Sequence, residues 1–436
     1  MANTTGLPSA IPIDREFRSK RLMATIAAFG MMVTVSTVTA TGFTVAPGME
    51  RFDVGAGTYL IWYSIFTLAV AAVNSFSGNL ISRFGVRTVS TVGSIGTALS
   101  YFGMGFAPNL TVFYILAAVL GVSFTGCTYL MSTHLTTAWH THNRRGTVVG
   151  IVAMGVAVGG FLWGFIFPPV VAEYGFTGAF VTIGIAVTFF TVLPSLFLVR
   201  EPVIEDVQHV GAGEEAERAD RKSLLSGYVG ITVLLGIAFF LFAFESAFVS
   251  VQPAVYANLG ADATTAGLLL SVYAMSGLIA KPVLGYMYDR FGVFTLFAIL
   301  VILFLLGLPL IAVFGGLGGG ILFLLVPIAA LSLSVPTIIL PLITVRTVGQ
   351  ARFPLVYGIA LSIWSLGLAT AGPLWGLTLD MTGTYTAALF GAGALGIVGI
   401  VFSYFAYRMG NRLREPEDVA TIASGEPETV GQPGQS

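Results

Sequence analysis

Residues 78–86 read Gly78-Asn79-Leu80-Ile81-Ser82-Arg83-Phe84-Gly85-Val86, and 207 positions later residues 285–293 read Gly285-Tyr286-Met287-Tyr288-Asp289-Arg290-Phe291-Gly292-Val293. A glycine and the string Arg-Phe-Gly-Val recur at the same spacing. A second pair, Arg200-Glu201-Pro202 and Arg414-Glu415-Pro416, recurs at an offset of 214. The register therefore holds across nearly half the chain, and the sequence reads as two copies of one unit.

Around each copy the chain is apolar. Hydrophobic residues make up 56% of the 436 positions and charged residues 9%, with a mean hydropathy of +0.89. A water-soluble domain of that balance would expose large apolar patches. A bilayer core instead calls for ~20 apolar residues per helix. Twelve such stretches are read, at 22–46, 57–82, 88–107, 110–138, 146–171, 178–199, 228–257, 265–287, 293–314, 318–343, 354–378 and 385–407. They are numbered spans 1 to 12.

The basic residues set the orientation. Of 20 Lys and Arg, 18 lie before span 1 or after spans 2, 4, 6, 8, 10 and 12. Arg51 alone lies on the opposite side, and Lys281 lies within span 8. The positive-inside rule then places both termini in the cytoplasm of a multi-pass protein of the plasma (inner) membrane. The apolar stretch after the basic N-terminus is long, so it reads as a retained helix rather than a cleaved signal. Charged, Gly- and Ala-rich residues 200–227 divide the spans into six and six. The expected organisation is an N-terminal cytoplasmic segment 1–21, a six-helix bundle 22–199, a linker 200–227, a second bundle 228–408 and a tail 409–436. The tail is acidic and poor in apolar residues, and is expected to be disordered. Parallel repeats of this kind place a substrate site near the bilayer midplane, between the halves.

Several function classes lose support. The net charge is -1 and no basic stripe suggests nucleic acid. The single Cys127 allows no disulfide within the chain and gives no thiolate or metal site. His134, His140 and His142 cluster at the end of span 4 without a convincing metal spacing, and no phosphate loop or catalytic triad is visible. No catalytic residue, metal or cofactor is therefore assigned, and an enzyme is not expected; a proton or ion gradient would supply the driving force.

The Gly-x-x-x-Asp-Arg-Phe-Gly string resembles the loop between the second and third helices of major facilitator superfamily transporters. The resemblance covers residues 20–410 and implies an all-α integral membrane fold with twelve transmembrane helices in two pseudo-symmetric halves. It assigns Gly78, Arg83, Gly85, Gly285, Asp289, Arg290 and Gly292 to a cytoplasmic gating motif. Glycine permits close helix approach, an acidic residue caps a helix end and arginine anchors at the headgroups. Ser82 stands where the motif has Asp, so an Asp-dependent latch would rely on the second half.

Two further stretches narrow the resemblance. Trp139 to Gly160 (WHTHNRRGTVVGIVAMGVAVGG) and Gly372 to Tyr385 (GPLWGLTLDMTGTY) are similar to the fifth- and eleventh-helix regions of monocarboxylate porters and oxalate–formate antiporter-like relatives. That group carries a basic residue before proline in its eighth helix, here Lys281-Pro282. Lysine supplies a point charge where arginine, usual in the group, supplies a bidentate fork. Span 1 lacks the lysine of many monocarboxylate transporters, and no Lys or Arg lies between Arg352 and Arg408, where oxalate–formate exchangers use a second cation. A single buried cation suits one carboxylate.

The candidate residues each carry two readings. Lys281 is the anion site, or a structural lysine that snorkels to the surface. Glu245, the acidic residue well inside a span, carries a coupling proton, or is a protonated acid bonded to a neighbouring carbonyl. In an antiparallel hairpin about residue 261, Glu245 falls ~6 Å along the axis from the level of Lys281, so a salt bridge requires an offset or a bend. Asn74 is the repeat counterpart of Lys281 and faces the same cavity, or is interhelical polar glue. Tyr129 lies ten residues before Trp139, where the relatives place a substrate-facing tyrosine; its other reading is aromatic packing. Tyr273 and Trp364 shape the cavity or, more simply, pack. Prolines 168, 253, 282, 336, 341 and 373 are expected to bend their helices.

The reading is a secondary transporter of a small monocarboxylate, by proton-coupled symport, with a lipid bilayer as surroundings and a monomer sufficient. An exporter of amphipathic drugs or metabolites is the alternative, and a non-transporting membrane sensor a distant third.

Overall fold

The computed structural model describes residues 15–74, 77–140, 142–200 and 227–424. The expected N-terminal segment up to position 14, most of the expected linker and the end of the tail lie outside these, as do the side chains of Ser82 and Asp289. Every element assigned among the described residues is helical. In chain order they are α1 (Ser19–Phe52), α2 (Ala56–Asn74, resumed at Ser77–Phe84), α3 (Val86–Gly105), α4 (Leu110–Thr125, resumed at Tyr129–Trp139), α5 (148–174) and α6 (176–197). Then follow α7 (Val229–Asn258), α8 (Ala263–Phe291), α9 (Val293–Leu317), α10 (Gly319–Ala329, resumed at Leu340–Gly349), α11 (Leu355–Thr382) and α12 (Thr386–Ser424).

Among the described residues, 8 helices are long and apolar enough to cross a membrane. The twelve-span reading differs from that count for local reasons. Spans 5 and 6 form one run, Val148–Phe197, which turns at Gly175 (φ 57, ψ -149). The α4 and α10 pieces are short, and α3 is dotted with Ser, Thr and Gly (VRTVSTVGSIGTALSYFGMG). At the other extreme, α12 runs to Ser424, beyond position 409 where the sequence suggests a disordered tail.

The repeated string turns the chain identically in both halves. Gly85 opens α3 and Gly292 opens α9, each with φ 77. L-residues with a side chain rarely adopt that conformation, which explains why both copies keep glycine. Arg83 lies over the Phe84 ring at 5.4 Å and Arg290 over Phe291 at 5.6 Å, so the two copies also share a cation–aromatic pair. Arg290 further donates to the Tyr286 hydroxyl at 2.9 Å. Arg83, Arg290 and Arg408 mark what we call the basic end of the bundle; Arg51 and Asp380 mark the far end.

Each half holds its own aromatic core. In the first, Phe113 packs against Tyr59, Phe176 and Phe180 with ring centroids 5.6, 5.8 and 5.6 Å away. In the second, Phe242 of α7 stacks on Phe304 of α9 at 5.3 Å. Offset and edge-on rings of this kind give tight, geometrically specific packing in an apolar interior.

Candidate functional site

Four helices lose regular geometry near their middles, in repeat-related pairs. In α1 the turn at Ser36 has φ -70, ψ -11, and in α7 the turn at Ala247, at a corresponding place in the second half, has φ -66, ψ -17. The two breaks share a cause. Along α1, hydroxyls donate to carbonyls three residues back: Ser36 to Val33 at 2.6 Å, Thr37 to Thr34 at 2.7 Å and Thr39 to Ser36 at 2.6 Å. Such bonds compete with the helical ladder and bend it. In α7, Ser250 donates in the same way to the Ala247 carbonyl at 2.8 Å, and further along Pro253 lacks the amide that would bond back toward Val249. The second pair is α4, broken at 126–128, and α10, which tightens over Ala330–Ser334 and widens over Val335–Ile339 around Pro336. Pro282 and Pro373, also expected to bend their helices, lie inside the continuous helices α8 and α11.

The halves meet at three crossings toward the far end. At α5–α8, a Cβ built on Gly164 would lie 2.1 Å from the Gly267 carbonyl oxygen, and one built on Gly267 would lie 2.0 Å from that of Gly164. Backbones this close require glycine on both sides. Ser271 adds a bond to the Phe161 carbonyl at 2.8 Å. At α2–α11, Ser64 donates to the Ala369 carbonyl, and the Asp380 carboxylate accepts from the amides of Ala56 at 2.7 Å and Gly57 at 2.8 Å. At α1–α7, Gly42 lies against Pro253. Toward the basic end, among the described residues, the first part of α1 and the Tyr129–Trp139 piece of α4 pack within the first half, while the first part of α7 packs on α11 and α12. Among the described residues, the crossings named here join the halves toward the far end, and these basic-end pieces pack within their own halves.

Lys281 lies on α8 toward the basic end. Gly267, Ala274 and Lys281 are spaced by seven, so they share one face of α8. Gly267 and Ala274 meet α5 at Gly164 and Gly160. Lys281 continues that stripe, about 10 Å further toward the basic end. It is partly buried and has no hydrogen-bond or ion-pair partner among the described residues. Asn74 occupies the matching place on α2. It lies eleven positions, about three full turns, from Tyr63, which packs on Gly372 of α11, so it shares the face turned toward the second half. Asn74 is exposed. The repeat-related pair thus occupies matching positions on α8 and α2, on helix faces that turn toward the opposite half.

The other predicted residues divide. Tyr129 opens the second piece of α4, directly after the break, and is 49% exposed. Glu245 is 1% exposed and shares a face of α7 with Ala238 and Phe242, which belong to the second-half core. The Lys281–Glu245 bridge is not formed: among the described residues Lys281 has no ion pair, and it is the far part of α7, beyond Glu245, that packs on α8. Tyr273 is 1% exposed, edge-on to Phe248 at 6.0 Å. Trp364 lies eleven positions before Trp375, on the face of α11 where Trp375 donates to the Phe244 carbonyl at 2.9 Å. Both residues therefore pack between helices. Asp380, inside the quoted stretch 372–385, is the functional candidate that sequence reading assigned no role. Its partners belong to the other half of the chain, and no spacing signal reports such a contact.

The family model of the Major Facilitator Superfamily matches residues 22–244 and 233–431. The chain is 27% identical over 363 residues to the "Multi-drug resistance efflux pump PmrA homolog" of Lactococcus lactis subsp. lactis (strain IL1403), covering 81% of this chain and 85% of that protein. It is 25% identical over 390 residues to "Monocarboxylate transporter 13" of Bos taurus, covering 83% and 84%. In fold it is similar to the crystal structure of a D-xylose-proton symporter, with a TM-score of 0.71 at 16% identity, over 89% of this chain and 97% of that one.

Proposed function

Because the chain belongs to the Major Facilitator Superfamily, we propose that it moves a small monocarboxylate across the plasma membrane by alternating access to a site between its halves. The observation that supports this reading concerns Lys281: a cation without an ion pair among the described residues, on the stripe of α8 that meets α5 at Gly267 and Ala274, further toward the basic end. A cation at membrane depth is costly unless it serves an ion path. With the basic end taken as cytoplasmic, the far-end crossings fit an inward-facing state. Lys281 attracts the carboxylate as a point charge. The Asn74 amide and the Tyr129 hydroxyl donate to it from the first half. Glu245, buried in the second-half core, carries the coupling proton, and the gradient is the driving force without a cofactor. Tyr273 and Trp364 support the wall by packing.

The test is uptake into proteoliposomes over short aliphatic, keto-, hydroxy- and aromatic carboxylates, with and without an imposed pH gradient. One class should show saturable, pH-driven flux that Lys281→Gln reduces at least tenfold in kcat/KM. Full uptake by Lys281→Gln, at unchanged affinity, refutes the assignment.

A second reading has its own support in the Lactococcus relative, which is named as a multi-drug resistance efflux pump homolog. An exporter of amphipathic compounds would lower drug accumulation in expressing cells and give no carboxylate-dependent uptake.

A further inference from the structure

We propose that Asp380 is the gating residue of the far end, a latch between the halves that forms when that end seals and breaks whenever it opens. The proposal rests on the alternating-access reading above and is independent of the substrate. It comes from an asymmetry between two crossings that the internal repeat makes equivalent. The start of α2 meets the end of α11, and the start of α8 meets the end of α5.

The two helix starts have the same backbone geometry. Gly55, before α2, has φ -69, ψ 162; Asp262, its repeat counterpart before α8, has φ -67, ψ 164. Asp262 caps its own helix, accepting from the Thr265 amide at 3.2 Å. Hydrogen bonds from Thr265 also hold its carboxyl below the usual range. Gly55 has no side chain to offer, and the first amides of α2 are orphan donors. They are satisfied across the crossing, by both carboxylate oxygens of Asp380.

The helix ends are likewise non-equivalent. The repeat counterpart of Asp380 in the first half is Glu173, at the end of α5. It is exposed and has no hydrogen-bond partner among the described residues. The α8 start is self-sufficient, so nothing draws Glu173 across. One crossing is therefore held by apposed glycines, and the other adds a charged cap donated by the opposite half. A cap of this kind joins two bodies as well as stabilising one helix. Parting the far end must leave the α2 amides and the Asp380 carboxylate to water.

The experiment separates latch from cap. With Cys127 replaced by Ala, spin labels at Phe106→Cys and Leu317→Cys report the far-end distance by pulsed electron resonance; both positions are exposed, at 66% and 74%. Asp380→Ala should raise the ratio of parted to sealed far ends about tenfold, the scale of one lost capping interaction. The double variant Gly55→Asp/Asp380→Ala gives α2 the local cap that α8 has, in a backbone conformation that accepts Asp without strain. At Gly55 a Cβ would otherwise meet the Asp380 carboxylate at 2.6 Å, and that obstacle is gone in the double variant. The double variant should fold as wild type and remain shifted toward the parted state. If it returns to the wild-type distances, Asp380 is only a helix cap and the latch is overturned. Unchanged distances in Asp380→Ala overturn it as well. A wild-type protein that never samples a parted far end, under any substrate or pH gradient, overturns alternating access itself.

Discussion

Replacing Gly267 by alanine tests whether the α5–α8 crossing belongs to one state of the cycle. The added Cβ would lie 2.0 Å from the Gly164 carbonyl oxygen and 2.6 Å from Pro168 Cγ. A carbon–oxygen contact settles at about 3.3 Å, so the helices must separate by roughly 1.3 Å at their closest point. The obstructing oxygen is backbone and cannot rotate aside. Overpacking of one methyl group costs about 1–3 kcal/mol. That cost falls on the sealed far end, where the crossing exists, and is relieved when the halves part there. The ratio of parted to sealed molecules should therefore rise about 5–150-fold. Ser250, 1% exposed beside the α1–α7 crossing, supplies the reporter. In a Cys127→Ala background, Ser250→Cys should react with a membrane-impermeant maleimide faster by that factor when Gly267→Ala is added. Gly391→Ala is the control, because a Cβ there meets nothing within 4 Å. Equal labelling rates in the Gly267→Ala and Gly391→Ala variants would show that the crossing persists throughout the cycle, and the reasoning would fail.

Two other outcomes follow from named contacts. Glu245→Gln should abolish accumulation driven by a pH gradient while leaving substrate exchange at equal pH within about threefold of wild type; a wild-type pH response in proteoliposomes removes Glu245 from coupling. Ser36→Ala should leave the buried Trp163 Nε1, which donates to Ser36 Oγ at 2.8 Å, without its acceptor. The expected loss is about 1–3 kcal/mol, read as a lowered Tm in detergent, and an unchanged Tm would show that α1 relaxes to satisfy the indole.

The repeat was the most legible feature of the sequence because it is written in the covalent spacing. The offset between the two glycine strings also pairs Asn74 with Lys281, which take matching positions on α2 and α8. It likewise pairs Gly85 with Gly292, which share φ 77. Legibility ended where the determinant lay through space. The break in α1 has no proline at Ser36; it comes from hydroxyls whose choice of acceptor is made only in the folded helix. Pro282 and Pro373 lie inside helices assigned without interruption around them. Trp364, read most simply as packing, packs against the cores of the bundle. Asp380 received no role from the sequence, because its amide partners belong to the other half of the molecule.

On the proposed reading, the pairing of Lys281 with Asn74 divides the labour of recognition unevenly. Of the two repeat-related positions one carries a charge and the other a neutral amide, so an anion bound there stays electrostatically tethered to α8 while the halves rock. The other half must then read whatever the anion's organic portion presents, and it does so with neutral groups that cost little to exchange. Selectivity for the carbon skeleton would drift through substitutions in the first half, while the requirement for an anion stays fixed in the second. Hybrids joining the first half of one such protein to the second half of another should follow the first in choosing among carboxylates.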